Sequence, residues 1–160
     1  MKIEQTFTID APLDKVLTAM RDPALIEEDA KSRNCVSMKI IDVKKTADTH
    51  VFEMHSVDYA VGLTGIDKKK TENNTNYVEW DLKKGVSTWK WKGGNEMSNK
   101  AKITGGTTLA AQGKSTAVTM WVDIDVPIPI VGKKVSEMVG KNFKAEWPKY
   151  MERLARWAKK

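Results

Sequence analysis

One segment constrains this chain more than any other. Val118-Thr-Met-Trp-Val-Asp-Ile-Asp-Val126 alternates apolar and polar residues, the pattern of a strand with one buried face. It runs through Pro127-Ile-Pro-Ile-Val-Gly132 into an amphipathic stretch that continues to about Ala158. A strand with one apolar face needs a cover, and a long helix with an apolar stripe supplies one. The pairing predicts an antiparallel sheet closed by a C-terminal helix, an arrangement that can enclose a cavity between the two layers.

The rest of the chain reads as partners for that sheet. Residues 2–10 alternate as a first strand. Ala11-Pro12 and Asp22-Pro23 each open a short helix. Pro takes a first-turn position in both, Asp14 sits near the first N-terminus, and Asp22 caps a second helix that runs to about Ser32. The following strands are expected at 36–44, 50–58, 64–72, 76–83, 86–92, 98–111 and 116–126. Turn-formers separate them, among them Gly62, Asn73-Asn74, Lys84-Gly85 and Gly93-Gly94-Asn95. Short gaps mean hairpins, hence an antiparallel meander. No repeat, linker or low-complexity stretch interrupts it, so one domain over residues 1–160 is expected.

Strand parity sorts the faces. Val118, Met120, Val122, Ile124 and Val126 share one face, and Trp121 falls on the other between Thr119 and Asp123. Val78, Trp80 and Leu82 share a face, as do Trp89 and Trp91, and Ile103 with Leu109. On 50–58, Phe52 and Met54 oppose Val51, Glu53 and His55. The C-terminal helix shows a stripe of Val135, Val139, Phe143, Tyr150, Leu154 and Trp157, and Pro148 inside it predicts a kink near Trp147.

Charge and cysteine content exclude several classes. The net charge is +6, and the only arginines are Arg21, Arg33, Arg153 and Arg156. Base and phosphate readers favour the planar fork of Arg, so scattered lysine pairs read as a solvated surface, and no nucleic-acid partner is expected. No run approaches the ~18 apolar residues of a membrane span, so no integral membrane contact is expected. The first residues lack the apolar core of a signal peptide, and Cys35 is alone. A cytoplasmic protein is expected on both counts.

The order and spacing of three motifs, Ile9-Asp-Ala-Pro-Leu-Asp-Lys-Val16, Asp22-Pro23 and Val126-Pro-Ile-Pro-Ile-Val-Gly-Lys133, resemble the START-like superfamily, also called SRPBCC or helix-grip proteins. The last motif is most similar to an uncharacterised bacterial branch of it. The resemblance spans essentially the whole chain. It implies an α+β helix-grip fold: a curved antiparallel sheet wrapped around a long C-terminal helix, with two short N-terminal helices. It also implies a hydrophobic small molecule, such as a lipid, sterol or polyketide, held between sheet and helix. Some members of the superfamily are cyclases or aromatases, and some are co-chaperones, so the fold does not choose among them.

The residues leave little for metal or nucleophilic chemistry. His50 and His55 are the only histidines, five apart on one strand, and parity sends them to opposite faces. With one cysteine a Rieske cluster on this chain is excluded by ligand count. Nothing argues for a cofactor. Glu146 falls between Val139, Phe143 and Tyr150 on a helical wheel, where a carboxylate is costly unless paired or bonded. It is either a polar contact inside the cavity or a structural hydrogen bond. His55 shares parity with Glu53 and Tyr59, and the apolar Phe52 and Met54 argue that this row faces outward.

A ligand-binding domain is therefore the leading expectation. Trp80, Trp89, Trp91, Ile103, Met120, Val122, Val139, Phe143, Glu146 and Tyr150 are its expected lining. A metal-free cyclase or aromatase would rely on Glu146, His55 and Tyr150. A co-chaperone-like interaction domain would fill the space with its own side chains. Monomer and homodimer both remain open.

Overall fold

The computed structural model describes residues 1–62 and 65–160. Its order is β1 (Lys2–Ile9), α1 (Leu13–Met20), α2 (Pro23–Lys31), β2 (Cys35–Lys45), β3 (Thr49–Gly62), β4 (Gly65–Asp81), β5 (Val86–Lys92), β6 (Lys102–Gln112), β7 (Ser115–Asp125) and α3 (Gly132–Ala158). A single 3-10 turn, Ser98–Lys100, precedes β6, so the expected strand at 98–111 begins later than predicted. Among the described residues, seven strands form one antiparallel sheet in the order β1-β7-β6-β5-β4-β3-β2. The meander is consecutive from β2 to β7, and β1 returns to pair with β7 at the far edge.

The expected break at Asn73-Asn74 does not occur. Of the two strands expected at 64–72 and 76–83, the first begins on Thr64, outside the described residues, and the rest lies with the second in β4. Asn73 and Asn74 pair in register with Val57 and Ser56. Asn74 faces inward, donates to Asp58 Oδ2 at 2.7 Å, and accepts from the Gly94 N–H at 3.1 Å. Its amide ties the sheet to the next loop instead of closing a turn, which is why a turn-forming residue type sits inside a strand.

Inner-face parity follows the sequence. Register places Ile3, Val122, Gly105 and Trp89 across one row, and Val118, Leu109 and Phe7 along another. Two apolar clusters result. At the end closed by α1 and α2, Val16, Leu25, Phe52, Trp80, Val118 and Leu154 pack together. At the end where α3 begins, Ile3, Ile103, Val122, Ile124, Val126 and Trp147 form the second.

The buried line of α3 is offset from the expected stripe. Its buried residues are Gly132, Ser136, Gly140, Trp147, Met151, Leu154 and Ala158. Of the expected stripe, Leu154 lies on that line, while Val135, Val139, Phe143, Tyr150 and Trp157 are half-buried beside it. A Cβ at Gly140 would meet Met1 Cε and Ile3 Cδ1, the far ends of two flexible side chains, so the helix packs close to β1 there and a larger residue would make those side chains give way. The helix runs unbroken through Pro148, which is exposed.

The far end of α3 is fastened by charge. Arg156 Nη2 donates to both oxygens of Glu28 at 3.0 Å, Trp157 Nε1 donates to the same carboxylate at 2.9 Å, and Arg153 meets Asp29 at 2.9 Å. The loop before α3 is strained at one point. Ile130 is fully exposed at φ 73, a left-handed conformation that β-branched residues avoid.

Candidate functional site

The two sides of the inner sheet face differ in how well they are covered. Beneath α3, Ile3, Val122, Ile124 and Trp147 are buried. Farther round the curve, Met54 on β3, Val78 on β4 and Trp89 and Trp91 on β5 also point inward, yet each is only half-buried. Facing residues of α3, Val139, Phe143 and Tyr150, are half-buried as well. Inward apolar side chains on a curved sheet ordinarily vanish into a core. Here they keep accessible surface, which defines a cleft between β3–β5 and α3. Trp89 stacks on Phe143 with ring centroids 6.0 Å apart, and Phe143 meets Trp147 at 6.1 Å. The aromatic bridge joins the covered side to the open one. Gly105 makes it fit: a Cβ there would lie inside the Trp89 indole.

One end of the cleft is polar. Asp58 Oδ2 accepts from Ser56 Oγ at 2.8 Å and from Asn74, and Asn95 donates to Glu72 nearby. Burial, then the Asp58 carboxylate, pushes the Cys35 thiol up to about 11, so it stays protonated and poorly nucleophilic. Two residues along β4, on the same face as Asn74, Asn76 sits between Met54 and Trp91. Its Oδ1 is buried with no hydrogen-bond partner among the described residues.

The other buried side-chain orphan is Arg21 Nε, at the closed end. Arg21 Nη1 lies 3.1 Å from His50 Nδ1, and His50 Nε2 lies 2.7 Å from Asp42. Burial draws the Arg21 guanidinium below its usual value, opposed by Asp42. The His50 hydrogen bond holds Asp42 below the carboxylate range. His50 is thus a bonded core histidine joining α1, β2 and β3.

The sequence-predicted site residues scatter around this cleft. Trp89, Trp91, Met120, Val139, Phe143 and Tyr150 are half-buried on or beside it. Trp80, Ile103 and Val122 are buried in the two cores. Glu146 is a correction: it is not in the middle of the apolar stripe. It is half-exposed and pairs with the exposed Lys149 at 3.1 Å, because Trp147 is the residue that turns inward. His55 is on the outer face, 3.1 Å from Glu53, away from α3. Burial, then Asp29, pushes the Tyr150 phenol above its ordinary value, which keeps it neutral. His55 is therefore set apart from Glu146 and Tyr150, which lie one turn apart on α3.

Sequence reasoning missed Asn76, Met54 and Trp147 as site residues. Parity with Val78 and Trp80 was the available signal for Asn76; spacing from Gly140 and Met151 was the signal for Trp147.

Among the described residues, shallow hollows of about 310 and 320 Å³ lie on the outer face. The first lies by Asp48, Asp81 and Lys83, and the second by Val51, Tyr77 and Trp121. Trp121 is half-buried over Gly106, with Lys2 Nζ 5.2 Å from its ring centre. Among the described residues no group of three or more His, Cys, Asp or Glu is set to hold a metal, and no helix is long and apolar enough to cross a membrane.

A family model described as "Protein of unknown function (DUF2505)" matches residues 4–158. No curated protein matches the sequence. Solved structures do. The protein TTHA0849 from Thermus thermophilus is 16% identical, with 99% of this chain and 97% of that one covered at a TM-score of 0.68. The Zhui aromatase/cyclase from Streptomyces sp. R1128 is 14% identical over 99% and 93%, at 0.66. A norcoclaurine synthase point mutant from Thalictrum flavum, solved with a transition-state analogue, is 13% identical over 100% and 96%, at 0.69. At these identities the likeness establishes the fold: a curved antiparallel sheet around a long C-terminal helix.

Proposed function

We propose that this chain, which belongs to the DUF2505 family and has the START-like helix-grip fold, binds an apolar small molecule in the cleft between β3–β5 and α3. Residues 1–160 act as one ligand-binding domain. A single observation carries the reading: Met54, Val78, Trp89, Trp91, Val139 and Phe143 point inward and stay half-exposed. Covering that surface with a ligand is favourable at about 25 cal/mol per Å² of apolar area. Flat aromatic walls suit a ring-bearing ligand better than a flexible one, because stacking fixes orientation at small entropic cost.

Binding is favoured over catalysis by placement. The Glu146 carboxylate is held by Lys149 and the His55 imidazole lies on the opposite face of the sheet, so His55 does not serve Glu146 or Tyr150 as an acid–base partner. It is favoured over a filled interaction domain by the accessible inner surface itself.

The test is native mass spectrometry of the purified protein, followed by denaturation and identification of released molecules. Titration with the fluorescent probe 8-anilinonaphthalene-1-sulfonate accompanies it. A released apolar molecule or a saturable fluorescence rise is expected, and Phe143→Ala should weaken the probe by about tenfold. If nothing co-purifies, the probe does not bind, and a lipid and sterol panel leaves Tm unmoved, the proposal fails.

A further inference from the structure

The geometry points to Asn76 as a specificity residue: its buried carbonyl oxygen accepts a hydrogen bond from a hydroxyl on the ligand held in the cleft. This rests on the reading that the cleft holds an apolar molecule, and it narrows the ligand class to ring compounds carrying a hydroxyl group.

The contrast with Asn74 makes the case. The two residues share a strand, a face and a chemistry, two positions apart. The Asn74 amide is bonded at both ends, to Asp58 and to the Gly94 N–H. The polar network of Ser56, Asp58 and Asn74 stops there. Asn76 lies one step farther into the cleft, between the half-buried Met54 and Trp91, and its Oδ1 has no donor among the described residues. A buried acceptor left unpaired is destabilising, and native proteins keep few of them. An apolar residue of the same shape would serve packing better. A polar atom retained among tryptophan and methionine side chains, just beneath the accessible part of the inner face, is accounted for by a partner that arrives with the ligand and toward which the half-buried Asn76 amide turns. A site built this way discriminates strongly against an analogue that lacks the donor, because the acceptor is then left bare.

Two probes of nearly equal shape test this: 2-naphthol, which carries the hydroxyl, and 2-methylnaphthalene, which does not. Each is titrated as a competitor of 8-anilinonaphthalene-1-sulfonate. Transfer from water alone favours the methyl compound, so a preference for 2-naphthol reports an acceptor in the site. Wild-type protein is expected to prefer 2-naphthol on the order of tenfold. Asn76→Leu should reverse the order, with Asn76→Ala as a second variant should Leu fail to pack. The Tm of free Asn76→Leu should rise by about 2–4 °C, because the unpaired acceptor is gone. Two results overturn the proposal: a wild-type preference for 2-methylnaphthalene, or a 2-naphthol preference that survives both substitutions. If neither naphthalene displaces the probe, the cleft reading fails and this inference falls with it. If both displace it without discrimination, the cleft stands and only the role of Asn76 is lost.

Discussion

The inner face of the sheet has a closed side and an open side, and both are apolar. Along β1 and β7, α3 offers Gly132, Ser136 and Gly140, so backbone lies close to strand and Ile3, Val122 and Ile124 are fully covered. Toward β3–β5, α3 offers Val139 and Phe143, and Met54, Val78, Trp89 and Trp91 keep part of their surface. Small residues bring the helix down on one side; large ones prop the other open. Hydrophobicity alone does not say which side becomes core.

The largest expected effect sets those sides against each other. Ile124→Ala on the closed side should lose about 4 kcal/mol, since the Ile124 side chain is almost wholly buried and its cavity cannot refill. Met54→Ala on the open side should lose about 1 kcal/mol, because its site is already partly solvated, while weakening 8-anilinonaphthalene-1-sulfonate binding. Urea midpoints measure both; equal losses would erase the distinction.

Gly105→Val should cost about 3 kcal/mol by overpacking, since the new side chain takes the place of the Trp89 indole. Near-UV circular dichroism should change as Trp89 leaves Phe143. A wild-type spectrum would mean that the bridge does not depend on that glycine.

A smaller effect is expected at alkaline pH. The folded state holds the Tyr150 phenol neutral and raises its pKa, so its contribution to stability is complete below the unfolded value near about pH 10 and is lost as pH climbs above it. Cys35 acts in the same direction. In a Cys35→Ser background, then, Tyr150→Phe should flatten the alkaline fall in urea midpoint. An unchanged slope would remove Tyr150 from the account.

The smallest is Ile130→Gly. The side chain is fully exposed and the backbone is left-handed, so glycine relieves strain without losing buried area. Unfolded-state entropy offsets part of the gain, and a rise of up to about 1 kcal/mol is expected. A clear loss would show that this side chain has a partner.

Much of this is legible in the chain itself. Period-two alternation places Val118, Met120, Val122, Ile124, Trp89 and Trp91 on the inner face, and Asp22-Pro23 marks the start of α2. Other features mislead for physical reasons. Asn73-Asn74 resembles a turn because Asn favours turns, but cross-strand hydrogen bonds hold Asn74 inside β4. Glu146 falls on a buried stripe only when the helical wheel is centred on Val139, Phe143 and Tyr150, whereas the contact line runs through Gly140, Trp147 and Met151.

The sequence by itself determined the class of fold, the order of its elements and which face of each strand turns inward, because these follow from local periodicity and turn chemistry. Only the tertiary structure decided depth. It buried Trp80 and Val122 and left Trp89 and Trp91 accessible, turned Glu146 toward Lys149, and left Asn76 unpaired while its neighbour Asn74 was satisfied. The reason is that burial depends on how closely a distant element approaches. For α3 that distance is set where Gly140 meets Ile3 and Ile124, a contact that no local pattern in the chain encodes.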